Sequence, residues 1–325
     1  MARGHPGLPL TPTVVLHKSE LLAILADVDN NPLSRARVLR LENDFRLKIQ
    51  THVGGLPARD AVFDRFNTSP FVILIHTARN NYTKISQIEQ DILPAKLFSS
   101  METSAGKMIE LVTLQPYDWA PVLSAMHTSY SALDGRKVSG DVLTLATLKS
   151  GPRCLNDEMA ENFADAILAY APKWAADAGV QHVEFTYGVL YGTPQRSNKK
   201  DWHILRNLYD KLGAANFNLP PHGRWETRFT YQGIDVTATI RIGMDWWDYL
   251  GGGRHCAVEV WTALIRASVM PGEADSETQV YQIADLSDIV SLTSVPPDYN
   301  VSLLQRSQLP WLFFVARHFA DQLLP

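Results

Sequence analysis

Alternating and helical-period hydrophobic positions divide the chain into predicted elements. "SELLAILADVDNN" places Leu21, Leu22 and Leu25 on one side behind a serine cap at Ser19, which predicts a helix. "PLSRARVLRLENDFRLKIQTHVGG" carries Val38, Leu39, Leu41, Phe45, Leu47 and Ile49, and should stop at Gly54-Gly55. "SPFVILIHTARNN" is a short apolar run of strand type or a buried helical turn. "SSMETSAGKMIELVTL", from Ser99, reads as a helix, and "VLTLATLK", Val142 to Lys149, as a strand. "NDEMAENFADAILAYAPKWAADAG" predicts a long helix capped by Asn156, with Asp157 and Glu158 at the positive end of its dipole and Gly179 closing it.

"VQHVEFTYGVLYG" then reads as a strand and "SNKKDWHILRNLYDKLG" as a helix with Ile204, Leu205, Leu208 and Leu212 inward. "RWETRFTYQGIDVTATIRI" predicts a hairpin turning at Gln232-Gly233. The closing "LPWLFFVARHFADQLL" reads as an apolar helix docked on the body. Strands alternating with helices around a hairpin predict an α/β fold with a mixed central sheet flanked by helices. The predominantly helical first part, residues 1–95, is expected to form an N-terminal subdomain, and 96–325 the main body.

Within "VLTLATLK", Leu143, Leu145, Thr147 and Lys149 share one face, and Val142, Thr144, Ala146 and Leu148 the other. A strand apolar on both sides belongs in the middle of a sheet. Lys149 stands at its C-terminal end, where ligands collect in open α/β sheets. "SGD", Ser139 to Asp141, is the turn signal before the strand, so Asp134 on the preceding strand is expected opposite Thr147 to Lys149. Asp141 lies at the far end of Lys149's own strand, about 26 Å away, and is turn chemistry.

A carboxylate and a lysine at the end of a hairpin suit metal-assisted phosphodiester cleavage. The carboxylate would hold a hard divalent cation, usually Mg²⁺. The lysine would supply a point charge to the developing phosphorane. "AGKMIE" offers Glu110 as a second carboxylate. Each residue also has an ordinary reading: a solvated helix glutamate, a solubilising strand-end lysine, an aspartate that only makes a turn before Gly135. Order and convergence raise the joint one without displacing these.

Bulk properties leave this chemistry open. With 30 Lys+Arg against 34 Asp+Glu the net charge is -4, so any nucleic-acid surface must be a local basic patch. Two cysteines among 325 residues exclude a disulfide framework and a cysteine zinc cluster. No apolar stretch is long enough to span a membrane, and "MARGHPGLPLTPTVVL" does not read as a secretory signal, so a cytoplasmic protein is expected. Serine-hydrolase and Walker-type motifs are absent.

The ordered set "SAGKMIE", Asp134, "ATLKSGP" and Asn156 resembles the type II restriction endonucleases of the PD-(D/E)xK nuclease superfamily. Members of that family carry a Gly-x-x-x-Glu helix, then an Asp, then a strand ending x-x-Lys; one group continues Lys-Ser-Gly-Pro with an Asn soon after. The resemblance spans about Ser99 to Phe163. It implies a restriction-endonuclease-like core, Mg²⁺ dependence, cleavage of double-stranded DNA at a short sequence, and a homodimer. It makes Asp134 the metal-binding Asp, Lys149 the catalytic Lys and Glu110 the helix carboxylate. Thr147 stands where the family has an acidic residue, and Leu133 where it often has proline.

For DNA contacts, Arg153, Asn156 and Ser150 follow Lys149 directly, and Arg196, Lys199 and Lys200 form a loop suited to clamping phosphates. Asn156 also reads as a plain helix cap. Arg35, Arg37, Arg40, Arg46 and Lys48 are diluted by Glu42 and Asp44, which favours a salt-bridged helix face. Trp246 and Trp247 are expected in the core or a dimer interface, and His127, His182 and His203 as structural residues. The rival readings are a structure-specific repair nuclease of the same superfamily and a non-catalytic DNA-binding protein on that fold.

Overall fold

The structure is a computed structural model, and it describes Leu8 and residues 11–55, 105–122, 133–217, 225–271, 295–296 and 298–325. The apolar run at 69–81, the residue-95 boundary, the start of the Ser99 helix and His127 lie outside the described residues.

The chain opens with β1 (Val15–His17), α1 (Lys18–Asn30) and α2 (Pro32–Gly55). Residues 105–113 form α3. Next come β2 (Ala120–Pro121), β3 (Gly135–Ser139), β4 (Val142–Lys149), α4 (Asp157–Ala178) and β5 (His182–Val189). They are followed by α5 (Trp202–Leu212), β6 (Glu226–Tyr231), β7 (Ile234–Ile242), α6 (Met244–Gly251), α7 (His255–Ser268), α8 (Leu309–Arg317) and β8 (Gln322–Leu324).

Six strands form one mixed sheet in the order β2-β3-β4-β5-β7-β6. The central β4, β5 and β7 are parallel, and the outer β2, β3 and β6 run antiparallel to their neighbours. Both faces of the central strands are covered, which explains their continuous apolar runs. Leu143 and Leu145 of β4 pack with Phe163 and Ile167 of α4 and Leu205 of α5. Ala146 and Leu148 enter the opposite core with Trp246 and Trp247 of α6, α7 and α8. Helices α1 and α2 contribute Leu21, Leu25, Val38 and Phe45 to that same core.

Helix α4 starts where the sequence marks it. The Asn156 side chain accepts the Met159 N–H, Asp157 and Glu158 sit in the first turn, and Gly179 ends the helix at φ 70°. Its apolar stripe, Ala160, Phe163, Ala164, Ile167, Ala171 and Trp174, is buried. Each large side chain there contributes roughly 1.5–3 kcal/mol. The hairpin β6–β7 turns at Gln232-Gly233 as read. Trp246 and Trp247 are core residues, at 0% and 2% exposure. The basic face of α2 is salt-bridged: Arg37 grips the buried Glu259 of α7, and Arg46 pairs with Glu42.

Two expectations are corrected. Ser19 is not the cap of α1, because the helix begins at Lys18 with His17 extended before it and no side-chain cap. Strand β1 feeds straight into the helix, so its start is set by the pairing of β1 with β8. The C-terminal segment is not one helix either. Asp321 ties itself to Val14 through a backbone bond and a carboxylate bond of 2.9 Å, which redirects the chain into β8. No helix of the described residues is long and apolar enough to cross a membrane.

Candidate active site

The β3–β4 hairpin turns at Gly140-Asp141, with Ser139 paired to Val142 and Gly135 to Ala146. Asp141 serves the turn region, its Oδ1 accepting the Gln181 N–H at 3.0 Å. At the other end the ladder is irregular. The Asp134 N–H also donates to Ala146, so Asp134 and Gly135 together oppose one residue. This two-against-one arrangement is a β-bulge, which bends a strand and re-aims a side chain. Here the re-aimed carboxylate takes the Leu148 N–H at 2.7 Å through Oδ2. Asp134 is thereby held one residue from Lys149, whose Cα lies about 3.8 Å along the chain from that of Leu148.

Helix α3 brings Glu110 to the same place. Its approach depends on Gly106: a Cβ there would sit 3.0 Å from the Ser150 Cβ. Val112 and Leu114 anchor the helix end in the core. Burial, and then the nearby Asp134 carboxylate, push Glu110 up to about 7, while Lys149 and Lys107 pull it down. Burial likewise raises Asp134, against the Leu148 N–H and the same two lysines. Asp134, Glu110, Lys149 and Lys107 thus share one electrostatic environment. Asp134 Oδ1 and the Glu110 carboxylate accept no hydrogen bond from a described residue, and neither lysine is in an ion pair with one.

Two half-buried carboxylates whose remaining oxygens take no hydrogen bond from a described residue are a hard-donor set that fits Mg²⁺, which keeps several waters and needs only one or two protein carboxylates. The described residues hold no group of three or more His, Cys, Asp or Glu able to cage a metal. Thr147 does not extend the set as a carboxylate would. It is fully buried, paired in register with Tyr187 on the face that packs against α4.

The segments after β4 and β5 are sewn together beside this cluster. The Asn198 N–H donates to the Pro152 carbonyl at 3.2 Å, and its side chain to the Leu155 carbonyl at 3.1 Å. Arg153 is exposed and donates to the Arg196 carbonyl at 3.3 Å, while Arg196 lies 3.8 Å from Asp321. Ser150 faces the Cys154 sulfur at 3.7 Å.

Three proposed DNA contacts are otherwise engaged. Asn156 is the helix cap. Lys199 folds onto the Pro194 and Gln195 carbonyls of its own loop. Lys200 pairs with Asp157 at 2.5 Å. These bonds stitch the loop that carries the predicted phosphate clamp. His203 also bonds Asp157, and His182 meets Thr237 at 3.0 Å, both structural as read.

Sequence reasoning missed Lys107, although its spacing of three from Glu110 puts both on one helix face. It also missed Tyr191, whose ring lies against Gly151. Asp201 is another unforeseen carboxylate: fully buried, it accepts from Ser197 at 2.7 Å, and burial pushes it up to about 6. Compared with known proteins, the chain matches no family model and no curated protein.

Proposed function

We propose that the protein is a Mg²⁺-dependent, sequence-specific endonuclease of double-stranded DNA, of restriction type and acting as a homodimer. One observation carries the reading: the bulge at Asp134 delivers a carboxylate to the Leu148 amide beside Lys149, and α3 adds Glu110. This is the convergence that the resemblance to PD-(D/E)xK nucleases requires, and the α/β architecture with its mixed sheet agrees with it.

Asp134 and Glu110 would hold Mg²⁺, which when bound lowers the pKa of water and offsets charge on phosphoryl oxygens. Lys149 sets a point charge beside the scissile phosphate, stabilising the negative charge that builds as water adds to phosphorus. The Leu148 N–H fixes one Asp134 oxygen and so orients the other. Lys107 adds a second cation on the α3 side. Arg153 and Arg196, both exposed, and the half-buried Ser150 are the remaining candidates for DNA contact. Two-fold symmetry of a dimer would match palindromic targets.

A non-catalytic DNA-binding protein on the same fold is the second reading. Thr147 favours it, since a buried hydroxyl replaces a carboxylate. Incubation of phage DNA with purified protein and Mg²⁺ separates these two readings and a structure-specific nuclease. Discrete fragments with a common end sequence support the restriction reading, a smear or junction preference supports a structure-specific nuclease, and retention without cutting supports the binding protein.

A further inference from the structure

Among the described residues Tyr191 and Trp311 are the exposed aromatics, at 45% and 46% exposure. Trp311 lies on the C-terminal α8, whereas Tyr191 borders the candidate active site. Its backbone is fixed on both sides. Leu190 donates to the Lys149 carbonyl at 2.8 Å and accepts from the Trp247 indole at 2.8 Å. Gly192, at φ 99°, donates to the His318 carbonyl at 2.9 Å and leaves room only for the Pro152 ring.

The side chain is placed as firmly. A Cβ on Gly151 would lie 2.7 Å from the Tyr191 hydroxyl oxygen and 2.9 Å from Cζ. Glycine at 151 is what lets the tip of the ring rest on the turn that follows Lys149. The result is an aromatic ring, partly open to solvent, resting on the turn between Lys149 and Arg153. Exposed aromatic rings along a basic groove are common stacking platforms for nucleotides.

We infer that Tyr191 is a substrate-positioning residue, its ring stacking on the DNA nucleotide next to the phosphate that Lys149 contacts. The inference rests on the nuclease reading and extends it to how the strand is aligned. A ring that merely covered Gly151 would do so equally well with DNA absent.

The test uses the wild-type protein first. Nitration by tetranitromethane is mapped by peptide mass spectrometry with and without sheared phage DNA, in Ca²⁺ rather than Mg²⁺ so that binding without cutting can be followed by gel retention. Tyr191 should be protected several-fold, while Tyr231 on the far edge strand β6 is unchanged. Equal nitration of Tyr191 in retained complexes overturns the inference and leaves the nuclease reading standing. Absence of both retention and cleavage overturns both.

Variants supply the second arm. Tyr191→Phe should keep wild-type KM for plasmid DNA, and Tyr191→Ser should raise it about ten-fold with little change in melting temperature. Tyr191→Leu, which keeps bulk over Gly151, should resemble Tyr191→Ser. Wild-type KM in the Leu variant overturns the inference.

Discussion

The Asp134 carboxylate accepts the Leu148 backbone N–H at 2.7 Å, one residue before Lys149. The contact replaces a strand–strand hydrogen bond with a side chain, and it leaves Oδ1 free of hydrogen bonds from the described residues. The same bulge that irregularises the ladder therefore gathers the site. Backbone geometry, rather than a dedicated loop, sets the spacing of acid and amine.

Mg²⁺ should stabilise the folded protein through that site. An ion that binds only the native state adds about 2.7 kcal/mol at a hundred times its dissociation constant. A thermal melt with increasing MgCl₂ should rise by a few degrees in the wild type. Asp134→Ala and Glu110→Ala should each flatten the response, and an unchanged rise in both would remove these carboxylates from the metal site.

Gly188 tests the support beneath the site. A Cβ there would lie 2.7 Å from Cε3 of the fully buried Trp246 and 2.8 Å from Cδ2 of Leu148. Gly188→Ala should cost roughly 1–3 kcal/mol as an overpacked core. It should also lower cleavage, because Leu148 is the residue that holds Asp134. Urea unfolding and a cleavage assay at low temperature measure the two effects separately.

Asp201 makes a pH prediction of definite sign. Burial favours the neutral acid and pushes Asp201 up to about 6, above the ordinary carboxylate value of 3.8. Between those values the native state binds more protons than the unfolded chain, so stability falls as pH rises from about 4 to 6. The contribution is of the order of 3 kcal/mol at most. Unfolding free energies of Asp201→Asn should lack this part of the slope. An identical slope in variant and wild type would show that Asp201 ionises normally.

The elements were legible wherever a local signal set them. "SGD" marked the hairpin, Asn156 and Gly179 marked α4, and the two-sided apolar run of β4 marked a central strand. Pairing register followed from the turn to within a residue: Asp134 was expected opposite Thr147 to Lys149, whereas its N–H meets Ala146 and only its carboxylate reaches Leu148. The bulge was not legible, because an extra residue shows only in where backbone hydrogen bonds go. The contacts of Lys199 were hidden for a related reason: a basic loop reads the same whether it faces solvent or closes on its own carbonyls. Strand β8 was missed because its partner, β1, is almost the whole chain away.

The most direct measurement is Mg²⁺-dependent cleavage of phage DNA by wild type and by Lys149→Ala, prepared in parallel and shown to melt alike. Removal of the charge aimed at the phosphate should reduce the cleavage rate by at least about 10²-fold while DNA retention in Ca²⁺ persists. Cutting by Lys149→Ala at the wild-type rate would contradict the account.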